Sequence, residues 1–201
     1  MTRRIGLLGG TFDPVHNAHL ALACTALDTL ALDELRWIPA GRPWQKVRHL
    51  SSSKDRAAML QLAIAGEPRF VLERCELDRT GPTYTLETVR ELQQRIPDAQ
   101  WMLIIGQDQF ANLHTWFGWQ ELLSRVTLAV AARPGADQTA DELVRAHAYQ
   151  VLAMPLMDIT ATAIRERVAR GESIDALVPQ AVARYIEEHA LYRSGGANPG
   201  S

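Results

Sequence analysis

The stretch IGLLGGTFDPVHNAHLALA, Ile5–Ala23, joins an apolar strand to an apolar helix through two glycines, a proline and two histidines three residues apart. The run Ile5–Leu8 reads as a buried strand and Val15–Leu32 as a helix, with glycine at the point where the strand ends. Taken alone, Gly-Gly is a tight turn. At the C-terminal edge of a parallel sheet, however, open α/β folds bind their ligands, and helix N-termini there favour phosphate. Gly9, Gly10, Thr11 and Phe12 are therefore a candidate phosphate loop whose backbone approaches the ligand. The spacing is neither G-x-G-x-x-G nor a Walker loop, because no Gly-Lys-Ser/Thr follows. His16 and His19 fall on one face of the first helical turn, over the loop, where two imidazoles can donate to phosphate oxygens. A zinc pair is the competing reading, but no third Cys or His stands at a supporting spacing.

Outward from this stretch, strands and helices alternate. Leu35–Pro39, Phe70–Arg74, Trp101–Ile105, Val126–Ala131 and Tyr149–Met154 read as strands. Ser51–Ala65 and Thr85–Ile96 read as helices, the first with Ala58, Leu62 and Ala65 at helical spacing and Gly66 as its stop. Several strands are apolar on both faces, which predicts a Rossmann-like, doubly wound parallel sheet covered by helices on both sides. Two further helical patterns, Ala163–Arg170 ended by Gly171 and another opened by Pro179 and running to about His189, form a small helical C-terminal part. One domain is expected over residues 1–193, with 158–193 its helical part. The small, polar residues 194–201 read as a flexible tail.

Composition excludes several function classes. A chain of 201 residues, 47% hydrophobic and 22% charged, can bury a core as a single domain. Its net charge of −2 supplies no basic field for a long nucleic acid. Leu20–Leu32 is too short to span a bilayer and carries Asp28, and no small-residue cleavage pattern follows it. Cys24 and Cys75 lack metal-ligand spacing and read as buried, reduced thiols. A cytoplasmic protein without nucleic-acid or membrane partners is expected, and a homo-oligomer stays open.

The motif GGTFDPVHNAHL closely resembles the phosphate-binding signature (G)GTFDPxHxGH of the nucleotidylyltransferase superfamily, with Ala18 in place of the usual glycine. Asp158–Arg165, DITATAIR, resembles the ISSTxIR signature, a helix start whose hydroxyls and arginine meet the ATP phosphates. Without that resemblance, Thr160 or Thr162 is an N-cap and Arg165 a solvated helix residue. RTGPTYTLET at Arg79–Thr88, IIGQD at Ile104–Asp108 with Trp116, and Arg133-Pro134-Gly135 look like the pattern of bacterial nicotinate-nucleotide adenylyltransferases. The resemblance runs in register from about Ile5 to Leu191-Tyr192-Arg193.

It implies adenylyl transfer from ATP to nicotinate mononucleotide, giving nicotinate adenine dinucleotide and pyrophosphate, with Mg²⁺ carried on the ATP phosphates. A phosphate monoester is largely dianionic at neutral pH, so the attacking 5′-phosphate needs no general base. No Ser-His-Asp or activated-Cys constellation is required. The resemblance assigns His16, His19, Arg165 and Lys46 to catalysis. Gly9, Gly10, Thr11, Phe12, Gly106, Asp108, Ile159, Thr160 and Thr162 join His16, His19 and Arg165 around ATP. Tyr84, Thr85, Trp116, Asp108, Lys46 and Arg133 are assigned to the pyridine nucleotide.

Lys46 sits in a segment, Gly41–Arg56, with a local excess of +4 from Arg42, Lys46, Arg48, Lys54 and Arg56 against Asp55; read plainly, it is a solvated loop. Its RPWQK departs from the family's PPHK-like element, so only the lysine carries over. Trp116 otherwise reads as loop packing and Thr85 as a helix N-cap. Nicotinamide mononucleotide or phosphopantetheine as acceptor, and a non-catalytic nucleotide-binding module, are the competing functions.

Overall fold

The computed structural model describes residues 2–41, 50–132, 140–154 and 157–193. Lys46, Arg133 and residues 194–201 lie outside these, as do Arg42 and Arg48. Strand β1 (Arg3–Gly10) sends Ile5 and Leu7 to one face and Leu8 to the other, the period-two alternation of a strand buried on both sides. Strands β2 (Glu34–Pro39), β3 (Phe70–Leu72), β4 (Ala99–Gly106), β5 (Thr127–Ala132) and β6 (Tyr149–Ala153) complete the sheet. Every described pair is parallel, in the order β3-β2-β1-β4-β5-β6. The winding reverses between β1 and β4, where Leu8 pairs with Ile104, and that reversal opens a crevice beyond the C-terminal ends of the two strands.

Two cores flank the sheet. One is filled by α1 (Asn17–Thr29), α2 (Ser53–Ile64), α8 (Ala161–Ala169) and α9 (Gln180–Glu188), through Ala23, Leu27, Met59, Leu60, Ile164 and Ile186. The other is filled by α4 (Thr85–Arg95), α5 (Gln107–Ala111), α6 (Trp119–Arg125) and α7 (Glu142–Arg145), through Leu86, Leu92, Phe110, Leu122 and Val144. The helical residues 158–193 thus pack onto the same core as α1. No described helix is long and apolar enough to cross a membrane.

The structure corrects several expectations. On α2 the buried residues are Arg56, Ala57, Met59, Leu60 and Ile64, while Leu62 is 41% exposed. This helix is aliphatic on several sides, so packing against α9, and not periodicity, selects its inner face. Cys24 is exposed, because α1 turns Ala23, Ala26 and Leu27 inward and leaves Cys24 on the outer side. Cys75 is half-buried, and burial pushes its thiol up to about 12. Four short helices were not anticipated: α3 (Cys75–Asp78), α5, α6 and α7. The same holds for a 3₁₀ turn at Leu113–Thr115. Segments of four to seven residues carry too few turns for a period to register.

Candidate active site

Beyond Gly10 the chain leaves β1 and turns into α1. A Cβ on Gly10 would lie 2.9 Å from the Phe12 ring, whereas nothing lies within 4 Å of the corresponding position at Gly9. Gly10 is therefore required by Phe12, and Gly9 keeps the cleft floor clear. Phe12 itself has φ 50, in the left-handed region that costs a non-glycine residue on the order of 1–3 kcal/mol. Its ring is buried, 5.5 Å from Trp37 and edge-on to His19 at 5.1 Å.

The buried guanidinium of Arg56 helps to hold that conformation. It donates to the carbonyls of Thr11 (3.0 Å), Ala40 (2.8 Å) and Ser51 (3.3 Å). Arg56 is therefore part of the scaffold beneath the loop and not a solvated cation of the basic segment; of the two described basic residues there, Lys54 is the exposed one. Asp13, 3% exposed, accepts from the Tyr192 hydroxyl at 2.6 Å and the Ser51 N–H at 3.3 Å. Its carbonyl accepts from Arg165 Nη1 at 2.7 Å.

His16 is not within the first helical turn. It is the extended N-cap of α1 (φ −146, ψ 171), because the Asp13-Pro14 turn delays the helix by two residues. The two imidazoles still meet, stacked at 3.7 Å between ring centroids. The His16 backbone N–H donates to His19 Nδ1 at 3.2 Å, so a neutral His19 carries its proton on Nε2. Burial lowers the His16 pKa from 6.5 to about 4, so it is a neutral donor at physiological pH. Ala18 follows in the first turn of α1, where alanine favours helix over the glycine it replaces by about 1 kcal/mol.

Arg165, on α8, is half-buried and held by hydrogen bonds: besides the Asp13 carbonyl it donates to Thr162 Oγ1 at 3.1 Å. Thr160 is the N-cap of α8 and accepts from the Ala163 N–H at 3.1 Å. Ile159 is partly buried against the same core.

The crevice between β1 and β4 is a cleft of about 520 Å³, a size typical of small-molecule sites. Gly9, Gly10, Thr11, Tyr84, Thr85, Asp108 and Trp116 line it, which brings the four described residues expected for the pyridine nucleotide beside three of the expected phosphate loop. Thr85 is the first residue of α4 and its N-cap is Tyr84, so Thr85 is not the cap that local sequence suggested. Gly106, at the end of β4, donates its N–H to Gln109 Oε1 at 3.0 Å. His16, His19, Arg165 and the start of α8 stand outside this cleft, around the loop.

Glu76, Thr88 and Phe117 are among the lining residues that sequence reasoning did not assign to the site. Phe117 is 56% exposed, with its ring 4.8 Å from Tyr84. Glu76, buried in the wall, accepts from Thr88 Oγ1 at 2.9 Å, and Thr88 in turn accepts from Arg79 Nη1 at 3.3 Å. The one available signal was the exposed aromatic beside Trp116. Nothing local marks a glutamate that the fold turns inward. Among the described residues no three His, Cys, Asp or Glu converge as a metal site.

Residues 7–167 match the family described as cytidylyltransferase-like. The chain belongs to this family of nucleotidyl-transfer proteins. It is 51% identical over 196 residues to a relative from Methylibium petroleiphilum, covering 94% of this chain and 92% of the other. A relative from Bordetella petrii is 49% identical over 197 residues, with coverage of 95% and 100%. Both carry the name "probable nicotinate-nucleotide adenylyltransferase". Within the cytidylyltransferase-like proteins, the chain is a member of the nicotinate-nucleotide adenylyltransferase family. The fold matches Plasmodium falciparum nicotinic acid mononucleotide adenylyltransferase complexed with APC, with a TM-score of 0.77, 16% identity and coverage of 94% and 97%. The complex of that protein with NaAD matches at 0.76.

Proposed function

We propose that the chain transfers the adenylyl group of MgATP to nicotinate mononucleotide in NAD biosynthesis, releasing pyrophosphate by direct in-line attack without a covalent intermediate. The observation that carries this reading is the convergence, at the C-terminal ends of β1 and β4, of a phosphate-type loop with an aromatic-walled cleft of about 520 Å³. ATP lies over Gly9–Phe12, with its phosphates toward His16, His19 and the start of α8. The acceptor occupies the side lined by Tyr84, Thr85 and Trp116.

His19 is the α-phosphate donor, through the Nε2–H that the His16 backbone N–H selects. His16, neutral through burial, adds a dipolar hydrogen bond and no net charge. Countercharge for the departing pyrophosphate therefore falls to Arg165, to Lys46 and to the Mg²⁺ that arrives with ATP and stabilises the polyphosphate charge. Catalysis consists of aligning two anions and meeting charge as it develops at the α-phosphorus. Trp116 faces the cationic pyridine ring, and the opening of α4 at Thr85 receives its carboxylate. Asp108, an exposed carboxylate in the cleft, suits ribose hydroxyls. Arg133 assists the acceptor side, as the family resemblance implies. The reaction belongs in the cytoplasm, and residues 1–193 act as one domain.

The test is pyrophosphate release from MgATP with nicotinate mononucleotide, nicotinamide mononucleotide or phosphopantetheine, for wild type and His19→Ala. Release with the nicotinate acceptor is expected, with kcat reduced about 10²-fold in the variant. Equal rates with acid and amide would overturn the acceptor assignment, and no release with any acceptor would leave a nucleotide-binding module.

A further inference from the structure

The helical part of the chain grips the phosphate loop at three points that the reaction does not require as ligand contacts. Arg165 Nη1 donates to the Asp13 carbonyl at 2.7 Å. At the N-terminus of α1, the Asn17 backbone N–H donates to the Leu177 carbonyl at 2.9 Å, and its side-chain amide donates to the Ala176 carbonyl at 3.1 Å. Tyr192, 179 residues along the chain from Asp13, donates its hydroxyl to the buried Asp13 Oδ1 at 2.6 Å.

The other Asp13 oxygen accepts from the Ser51 N–H, so the carboxylate ties the loop both to the start of α2 and to Tyr192. Asp13 immediately follows Phe12, the residue at φ 50, and lies three residues before His16. A buried carboxylate that loses a donor is left with an uncompensated acceptor, and the cheapest relief is movement of its own backbone. That backbone is the loop whose N–H groups and following histidines face ATP.

We infer that Tyr192 is a positioning residue for adenylyl transfer: through Asp13 it fixes the Thr11–His16 segment in the conformation that receives the ATP phosphates, without touching substrate. The inference rests on the reading of this segment as the triphosphate cradle. It makes residues 158–193 part of the ATP site and leaves the pyridine side, built on α4 to α6, independent of them.

The experiment compares Tyr192→Phe, Tyr185→Phe and His19→Ala in the full chain, measuring kcat and KM for each substrate. Tyr185 is the control: its hydroxyl donates to the half-buried Asp55 Oδ1 at 2.9 Å, a tyrosine–aspartate bond between α9 and α2 that does not touch the loop. Tyr192→Phe is expected to raise KM for ATP about tenfold, as the loss of one hydrogen bond to a charged group implies, with kcat and KM for nicotinate mononucleotide unchanged. Tyr185→Phe is expected to leave both near wild type. Equal behaviour of the two tyrosine variants, or an equal loss toward both substrates, overturns the proposal. Full turnover in His19→Ala instead overturns the cradle reading, so the two failures are distinguishable. In the unmutated chain, a non-hydrolysable ATP analogue is expected to slow amide exchange both in residues 11–16 and in 190–193. Protection of the first without the second also overturns the proposal, whether or not Tyr192→Phe folds.

Discussion

The two sides of the cleft are built on opposite principles. On the phosphate side, Asp13 and Arg56 are buried polar groups whose partners come from the residues just after β1 and β2, the segment before α2, α8 and Tyr192. On the acceptor side, Tyr84, Trp116 and Phe117 are half-buried or exposed aromatics in the turns that flank α4, the 3₁₀ turn and α6. Under the proposed assignment of ATP to one side and the acceptor to the other, the difference follows from what each would do. Charge that develops at a transition state is stabilised only by donors already in place, so the phosphate loop must be over-determined. A ring that binds by stacking needs area and orientation, which half-buried side chains supply.

The contrast breaks first at Arg56. Arg56→Met leaves the carbonyls of Thr11, Ala40 and Ser51 without their buried donor and is expected to cost about 3–5 kcal/mol of folding stability, read by urea denaturation. A loss below about 1 kcal/mol would mean that the remaining contacts hold the loop alone. Next in size is a pH effect at His16. Its folded-state pKa, about 4, lies below the free value of 6.5, so the unfolded chain takes the proton first. Stability is therefore full above about pH 6.5 and falls as pH drops toward 4, by on the order of 3 kcal/mol. Urea midpoints at pH 7.5, 6 and 5 should show this slope, and His16→Asn should flatten it; an unchanged slope in the variant would refute the assignment. The smallest effect sharpens the other side. Trp116→Ala is expected to raise KM for nicotinate mononucleotide about tenfold with kcat and KM for ATP nearly unchanged. A matching rise in KM for ATP would show that the two sides are coupled after all.

Long elements were legible because their signals are local. The buried strands at Ile5–Leu8 and Trp101–Ile105 and the helix over Thr85–Ile96 each carry their own period and punctuation, although β1 runs on through Gly9 and Gly10, which local sequence alone reads as a turn. A helix N-cap at Thr160 or Thr162 was readable for the same reason, and the structure selects Thr160. Elements such as α5 and α6 were not legible, since helices of five and seven residues owe their stability to packing against β4, β5 and α4. The inner face of α2 was misread because its aliphatic residues lie on several sides. In the site, the phosphate loop, the histidine pair and the start of α8 stood out as motifs, whereas Glu76 and Phe117 carried no pattern that assigned them to the cleft.

By itself, then, the sequence determined a parallel α/β sheet, a glycine loop at its C-terminal edge, and the residue types gathered near it. Only the tertiary structure decided how those residues are held. The His19 tautomer depends on a backbone N–H three residues away, the charge state of His16 on burial, and the role of Arg56 on carbonyls 5 to 45 residues distant. Asp13 depends on a tyrosine 179 residues further along the chain. Periodicity and propensity act over a few residues, whereas desolvation and buried hydrogen bonds depend on every group that packing brings within a few ångströms.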